Sequence, residues 1–323
     1  MGGFACSSWY YLRFTSPHFD QGPFEPGAMR YWMPVDLYVG GAEHAVLHLL
    51  YSRFWTKVMA DAGLVPFREP FTRLLNQGQL MGPDGSRMSK SRGNVVTPDS
   101  MVETYGADAL RLYEMFMAPF DQDIAWSTEG IQGARRFLSR VWSLYAQAYP
   151  NLASTSEVDA ELERILHKTI RRISERIEGF RFNTMISALM EFANFLGERL
   201  RAGNWRTATF HRALETLLIL MAPAAPHIAE ELWQLTGHSG SVHEPPWPAW
   251  DEELAQDQVV QMAVQINGKV RAVIDAPTDI SESELEDLVL THPKVQQHLE
   301  GRRISRKIYV PGKILNIVTR ETT

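Results

Sequence analysis

Cysteine is nearly absent from this 323-residue chain: Cys6 stands alone. That excludes disulfides and cysteine-built zinc clusters, and it suits a reducing, cytoplasmic setting. No apolar run reaches membrane-spanning length. The longest, Thr216 to Ala225, is short and holds Pro223, so no membrane partner is expected. The N-terminus lacks the basic start and apolar stretch of a secretion signal. Positive charge is in deficit, 32 Lys and Arg against 38 Asp and Glu, for a net charge of -6. The chain as a whole is therefore not a basic nucleic-acid binder, and any such contact must use local patches. Internal repeats and low-complexity tracts are missing too. What is present is ordinary for a globular protein: 45% hydrophobic and 22% charged residues, and enough length for two or three domains with their own cores.

Residues 1–126 mix short β-like and α-like segments. Val35 to Val39 reads as a buried strand ending in Gly40-Gly41. Glu43 to Ala60 reads as one helix, with Val46, Leu47, Leu50, Phe54 and Val58 on a single face. Thr97 and Pro98 make a helix start, threonine as cap and proline at the first helical position, and Gly106 separates that helix from the next. Residues 127–243 form an all-helical stretch, with helices near 128–149, 157–178, 184–202, 207–221 and 226–236. The Pro-rich 244–257 segment is a linker. Residues 258–323 form a small α+β module. Two alternating runs flank Asn267-Gly268, the strongest short hairpin signal. Ser281 with Glu284 supplies a capping box, and two further β-like runs are joined by Pro311-Gly312. The fold class is thus multidomain, α/β plus α.

Four constellations carry chemistry. In Gly85 to Asn94, Arg87 and Lys90 can neutralise phosphate charge, Ser89 and Ser91 can hydrogen-bond its oxygens, and the flanking glycines let the loop bend around it. The plain alternative is a solvated basic turn. Gly40-Gly41-Ala42-Glu43-His44 opens a helix at a strand end, where ligands approach the backbone of α/β sheets. His44 and His48 are four apart and share a helix face. They fit substrate contact or a hydrogen-bonded core; a zinc protease would need glutamate after the first histidine, not before it, so no metal is assigned. Phe4 to Tyr11 is dense in aromatics with Ser7 and Ser8, and fits either a small apolar pocket or plain core. Lys269, Arg271, Arg302, Arg303, Arg306 and Lys307 give the C-terminal module a local basic excess. That fits RNA backbone contact or an aggregation-resistant strand edge. The helix stripe Arg164, Lys168, Arg171, Arg172 and Arg176 is a weaker signal, because Glu161, Glu163, Glu175 and Glu178 can pair with it.

The five residues Arg87-Met88-Ser89-Lys90-Ser91 closely resemble the Lys-Met-Ser-Lys-Ser signature of class I aminoacyl-tRNA synthetases. Ser-Ser-Trp-Tyr-Tyr, Gly-Gly-x-Glu-His-Ala-x-x-His, Gly106-Ala-Asp-Ala-Leu-Arg111, the Ala222 to Trp233 segment and Gln265-Ile-Asn-Gly-Lys269 add to this. Together they resemble the second half of bacterial leucyl-tRNA synthetases, over nearly the whole chain. The resemblance implies the later part of a Rossmann-like catalytic domain (1–126), an anticodon-binding-like bundle (127–243) and a tRNA-contacting C-terminal module (258–323). It implies that Phe4, Ser7, Tyr10, His44 and His48 surround leucine. It places Gly40, Gly41, Glu43 and His48 at the adenosine, and Arg87 to Ser91 at the phosphates of ATP, taken with Mg2+. Lys90 would steady the phosphates during reaction. The implied partners are leucine, ATP and tRNA(Leu).

Two departures stand out. Arg87 replaces the usual first lysine, exchanging a point charge for a planar fork. No His-x-Gly-His signature occurs, and no editing domain, so the expectation is a fragment or one subunit of a split enzyme, with a separate N-terminal half as partner. Two rival readings follow: a non-catalytic tRNA-binding protein, and a synthetase for another branched amino acid.

Overall fold

Apolar residues at helical spacing dominate the middle of the chain, and there the structure is most regular. The computed structural model describes residues 2–149, 156–256, 259–277, 280–310 and 313–321. The expected Pro311-Gly312 connection and the end of the linker at 257–258 lie outside the described residues. The chain divides into two compact units, Met1–Glu163 with Thr169–Ala249, and Arg164–Lys168 with Trp250–Thr323.

The larger unit begins with short helices α1 (Tyr10–Phe14) and α2 (Pro26–Trp32). Strand β1 (Tyr38–Gly41) leads through a 3-10 turn (Ala42–Val46) into α3 (His48–Asp61) and then into β2 (Leu74–Gln77). β1 and β2 pair in parallel, Tyr38 opposite Leu74 and Gly41 opposite Gln77. This is a strand–helix–strand unit of Rossmann type. Tyr11, Leu12, Phe24, Met29, Met33, Met59 and Val65 form its core. A second parallel pair, β3 (Leu80–Met81) and β4 (Ile124–Ala125), brackets the basic loop and helices α4 (Pro98–Tyr105) and α5 (Ala107–Phe116). Gly106 divides those helices at φ 91°, a backbone setting that favours glycine. Thr97 is at the cap position, but its hydroxyl meets Ser100 Oγ at 3.0 Å instead of a backbone amide.

Two expectations for this unit are corrected. The strand read at Val35 to Val39 runs instead from Tyr38 to Gly41 and is not buried, with Val39 exposed. Glu43 to Ala60 is not one helix: the backbone breaks at Leu47 (φ -116°, ψ -106°), between the 3-10 turn and α3. Glu43 and His48, five residues apart, would diverge by about 140° around a continuous helix. Each is held by a separate partner, Glu43 by Arg87 and His48 by Tyr38. The apolar stripe is real but uncovered. Val46 is 72% exposed and Phe54 55%, while α3 buries Leu49, Ser52, Thr56 and Met59.

The bundle consists of α6 (Thr128–Ala148), α7 (Ala160–Glu178), α8 (Phe182–Arg201), α9 (Ala208–Met221) and α10 (Pro226–Leu235). These match the expected helices to within a few residues. Phe137, Phe192, Phe210, Leu196 and Leu217 are among its fully buried side chains. The acidic residues of α7 divide their partners. Glu175 sits 4.0 Å from Arg171, but Glu161 and Glu163 pair with Arg199 and Arg212. The Pro-rich segment is tied down: Trp247 Nε1 donates to Ser174 Oγ at 2.7 Å.

Helix α5 clamps the junction of α9 and α10. Asp108, nearly buried, accepts the backbone N–H of Ile228 at 2.7 Å and of His227 at 3.3 Å, and its Oδ1 lies 2.8 Å from His227 Nδ1. Arg111 donates to the carbonyls of Pro223 (2.9 Å) and Ala224 (3.2 Å). The junction at residues 126 and 127 therefore lies inside one packed unit.

The smaller unit carries a four-stranded sheet in the order β6 (Lys269–Pro277), β5 (Val259–Ile266), β8 (Ile314–Glu321), β7 (Arg302–Val310). β5 and β8 run parallel and the outer pairs antiparallel. Asn267 (φ 51°) and Gly268 (φ 77°) make the expected hairpin turn. Between β6 and β7 lie two helices, not the single one expected: α11 (Glu282–Thr291), opened by the Ser281–Glu284 capping box, and α12 (Pro293–Leu299). Pro293 cannot continue α11 and starts α12 instead. Met262, Val264, Ile274, Leu285, Val289, Val295, Leu315 and Ile317 form the core.

Asp108→Ala removes the cap of α10 and is expected to cost about 1–2 kcal/mol, the scale of a lost helix cap. Chemical denaturation of the parent and the variant measures it, and Asp108→Asn should lose less.

Candidate nucleotide site

The basic loop is short and internally tied. Met81 and Arg87 form an antiparallel bridge at its base, and Gly82 N–H donates to Ser86 O at 2.8 Å. Gly85 (φ 74°) and Gly93 (φ 66°) make its two reversals. Asn94 closes it. Its Nδ2 reaches Ser86 Oγ at 2.9 Å and Asp84 Oδ1 at 3.1 Å, and its Oδ1 accepts Ser89 N–H at 2.9 Å. Hydrogen bonds from Asn94 and Ser86 hold the Asp84 carboxyl down at about 2. Ser89 and Ser91 hydroxyls meet each other at 2.6 Å. Lys90, exposed, opens a 3-10 turn over Lys90–Arg92.

At the carboxyl ends of β1 and β2 lies an open crevice of about 290 Å³. It is lined by Gly41, Glu43, Gln77, Gly78, Gln79, Leu80, Arg87 and Met88. Arg87 and Glu43 face each other across it at 3.8 Å. The Glu43 carboxyl is held below its usual range by a backbone hydrogen bond first, then by Gln79, His44 and Arg87. It folds back over Gly41: a Cβ at 41 would lie 2.2 Å from Glu43 Oε2, so any larger residue there would push the carboxylate aside. On the other side of the Gln77–Leu80 turn, a cavity of about 410 Å³ is lined by Glu114, Phe120 and Phe182 among others. Burial pushes the Glu114 carboxyl up.

Beside the crevice is a polar chain inside an aromatic cluster. Tyr10 and Tyr38 hydroxyls are 2.9 Å apart, and Tyr38 Oη is 2.6 Å from His48 Nε2. Desolvation first, then the neighbouring His44, push the His48 pKa down, which favours neutral imidazole. Nε2 then accepts from Tyr38, whose own pKa is pushed up, mainly by burial. His44 and His48 rings stand perpendicular at 6.2 Å, and His44 Nδ1 is buried with no hydrogen-bond partner among the described residues. Phe4 lies against Tyr51 at 5.8 Å, and Ser7 Oγ donates to Phe4 O at 3.1 Å.

The structure thus brings Gly41, Glu43, Arg87 and Met88 around one crevice. It gathers Tyr10, His44 and His48 into a neighbouring cluster. Gly40, Ser89, Lys90 and Ser91 adjoin the crevice in sequence but do not line it. Sequence reasoning missed Tyr38, Gln79 and the pair Asp84 and Asn94. Tyr38 had a signal, since it stands two residues before Gly40-Gly41 on the same strand. In the smaller unit the basic residues separate. Lys269 and Arg271 are on one edge strand, and Arg302, Arg303, Arg306 and Lys307 are on the opposite one. Lys307 is paired with Glu286 of α11.

A family model described as tRNA synthetases class I (I, L, M and V) matches residues 6–127, and one described as the anticodon-binding domain of tRNA ligase matches 159–286. Over the first of these stretches the chain matches the class I aminoacyl-tRNA synthetases. Within that class its likeness is to the leucine type. A leucine–tRNA ligase of Dehalococcoides mccartyi is 48% identical over 320 residues, covering 99% of this chain and 39% of the relative. One of Thermotoga maritima is 46% identical over 330 residues, covering 98% and 40%. An Agrobacterium radiobacter K84 LeuRS, solved in a ternary complex with tRNA and LeuAMS, superposes with a TM-score of 0.85 at 38% identity, covering 98% of this chain and 42% of that one. The chain spans about two fifths of the length of the curated relatives it matches.

His48 should titrate below the ordinary histidine value in ring-proton NMR. Tyr38→Phe removes the donor that favours the neutral ring and should move that titration upward. The sign for stability follows. A depressed folded pKa contributes stability above about pH 6.5, and this is lost as pH falls through the folded pKa.

Proposed function

We propose that this chain supplies the phosphate-clamping side of a leucine-activating site, together with the tRNA-binding parts of a leucine–tRNA ligase. The observation that carries this is the crevice where Gly41 and Glu43 face Arg87 and Met88 at the carboxyl ends of two parallel strands. Gly41 lets a nucleotide approach the backbone, Glu43 is placed to accept hydrogen bonds from its ribose, and Arg87 and Lys90 carry charge toward its phosphates. Leucine's carboxylate attacks the α-phosphate of ATP, giving leucyl-adenylate and pyrophosphate, and a terminal hydroxyl of tRNA(Leu) then takes the leucyl group. No side-chain nucleophile is required, so catalysis is positioning and charge stabilisation. Glu43 is the one acidic residue lining the crevice among the described residues. Mg2+ therefore belongs to the nucleotide as it arrives. Phe4, Ser7, Tyr10, His44 and His48 form the leucine side. Lys269, Arg271, Arg302, Arg303 and Arg306 meet the tRNA backbone, with Lys307 held back by Glu286. A cytoplasmic setting goes with these substrates.

The uncovered stripe of α3 and the two-stranded parallel sheet support a further part of the reading. Parallel sheets are normally covered on both faces, yet Val39 and Leu74 are exposed here. A complementary polypeptide carrying the His-x-Gly-His signature completes the sheet and the pocket. The same exposed surface favours the second reading, a tRNA-binding protein without activity of its own.

With a complementary portion from a relative supplied, Lys90→Ala should cost about 3 kcal/mol in the activation step, the scale of losing one transition-state donor. Leucine-dependent ATP–pyrophosphate exchange measures it, and near-normal exchange would remove Lys90 from the mechanism. Deleting residues 258–323 should weaken tRNA binding far more than leucine activation. An equal loss of both would speak against a separate tRNA module.

A further inference from the structure

We propose that Asn94 is a positioning residue for the phosphate loop: its carboxamide fastens the outgoing limb at residue 94 to the incoming limb at 84–87, and so sets the direction in which Ser89 hands the chain on to Lys90.

The argument rests on how many groups one side chain joins. Asn94 Nδ2 donates to Asp84 Oδ1 (3.1 Å) and Ser86 Oγ (2.9 Å), and reaches Arg87 O at 3.3 Å. Its Oδ1 takes the amide of Ser89, the residue that caps the Lys90–Arg92 turn. Asp84 in turn accepts Ser86 N–H (3.1 Å) and Ser86 Oγ–H (2.8 Å). Asparagine is specific in this place, because it offers donors to a carboxylate and an acceptor to an amide from one planar group. Gly82 lies directly beneath the fastening. A Cβ there would lie 2.8 Å from both Asn94 Nδ2 and Asp84 Oδ1, and 3.0 Å from Asn94 O. A side chain at 82 would have to push the Asn94 or Asp84 side chain aside. A loop carrying Arg87, Lys90 and Arg92 close together repels itself. The hydrogen bonds at its neck hold it in shape, and the carboxylate there, Asp84, is taken up by Asn94 and Ser86. The role in clamping phosphate rests on the function proposed above; the fastening itself does not.

The test uses the intact chain and trypsin, which cuts after Arg87, Lys90 and Arg92. Asn94→Asp sets two carboxylates against each other and should speed cutting at these bonds about tenfold, since cleavage follows the population of the opened loop. The exchanged pair Asp84→Asn with Asn94→Asp restores one donor and one carboxylate, and should return the rate to within about threefold of the parent, the remainder reflecting the weaker reach to Arg87 O. Cutting elsewhere in the chain and the circular dichroism spectrum should stay unchanged. If Asn94→Asp is cut no faster than the parent, or the exchanged pair is cut as fast as Asn94→Asp, the proposal is overturned. Tripolyphosphate is the ligand probe. It should protect the parent loop, with the half-protecting concentration raised several-fold in Asn94→Asp and restored in the exchanged pair. Equal protection of all three overturns the positioning role. No protection of the parent, with the cutting pattern as expected, supports the fastening and removes the phosphate-clamp reading.

Discussion

The larger unit depends on one carboxylate in an unusual place. Asp108 is almost withdrawn from solvent, and its charge is balanced chiefly by the start of helix α10, where unpaired amides and the helix dipole favour an anion. Arg111, one turn later, takes the carbonyls of Pro223 and Ala224 in the turn between α9 and α10. One helix thus completes the hydrogen bonding of another helix and of the turn that leads into it. Tyr113 continues the seam: its hydroxyl accepts the amide of Ser127, and its ring fills the space where Gly130 has no side chain. Because α5 follows the basic loop directly through α4, this seam fixes the frame in which the loop stands relative to the helices α6, α9 and α10. Burying a charge is costly unless each of its lone pairs is answered, and here the answers come from backbone that would otherwise be unsatisfied.

The crevice at the ends of β1 and β2 is built differently. Its floor is backbone, its rim is charged, and its neighbour is an aromatic cluster threaded by a short hydrogen-bond chain from Tyr10 through Tyr38 to His48. The aromatic part is well packed, with Tyr38 stacked on Phe71 at 3.8 Å. The opposite side of α3 is greasy and bare. A helix normally turns its apolar stripe inward. α3 turns inward a face of Leu49, Ser52, Thr56 and Met59 and presents the stripe outward, so both of its faces are built for contact.

Much of this was legible in the sequence, for identifiable reasons. The bundle helices announce themselves because each buries a stripe at 3.6-residue spacing. The hairpin at Asn267-Gly268 is visible because both residues accept positive φ. The basic loop is visible because its residue types are dense and local. What was hidden depends on contacts distant in sequence. Asp108 meets His227 across the whole bundle, and nothing near Asp108 signals it. The break at Leu47 is invisible to periodicity, because the apolar spacing runs through it undisturbed; only the separate partners of Glu43 and His48 explain it. Asp84 and Asn94 are ten residues apart, on either side of residues that draw the eye first. The basic tail shows its composition in the sequence but not its arrangement: strand order puts Lys269 and Arg271 on one edge and Arg302 to Lys307 on the opposite one.

That separation has an electrostatic meaning. Three strand spacings put the two edges about 14 Å apart, while exposed charges at physiological ionic strength lose sight of each other beyond about 8 Å. The two clusters therefore do not repel each other appreciably, and within the second one Lys307 is answered by Glu286. They stand as two separate cationic groups on opposite edges of one sheet, and a polyanion that met one of them would release that group's counterions alone. A backbone that touches both edges gains twice from one docking event, whereas a short anion that reaches only one edge gains once.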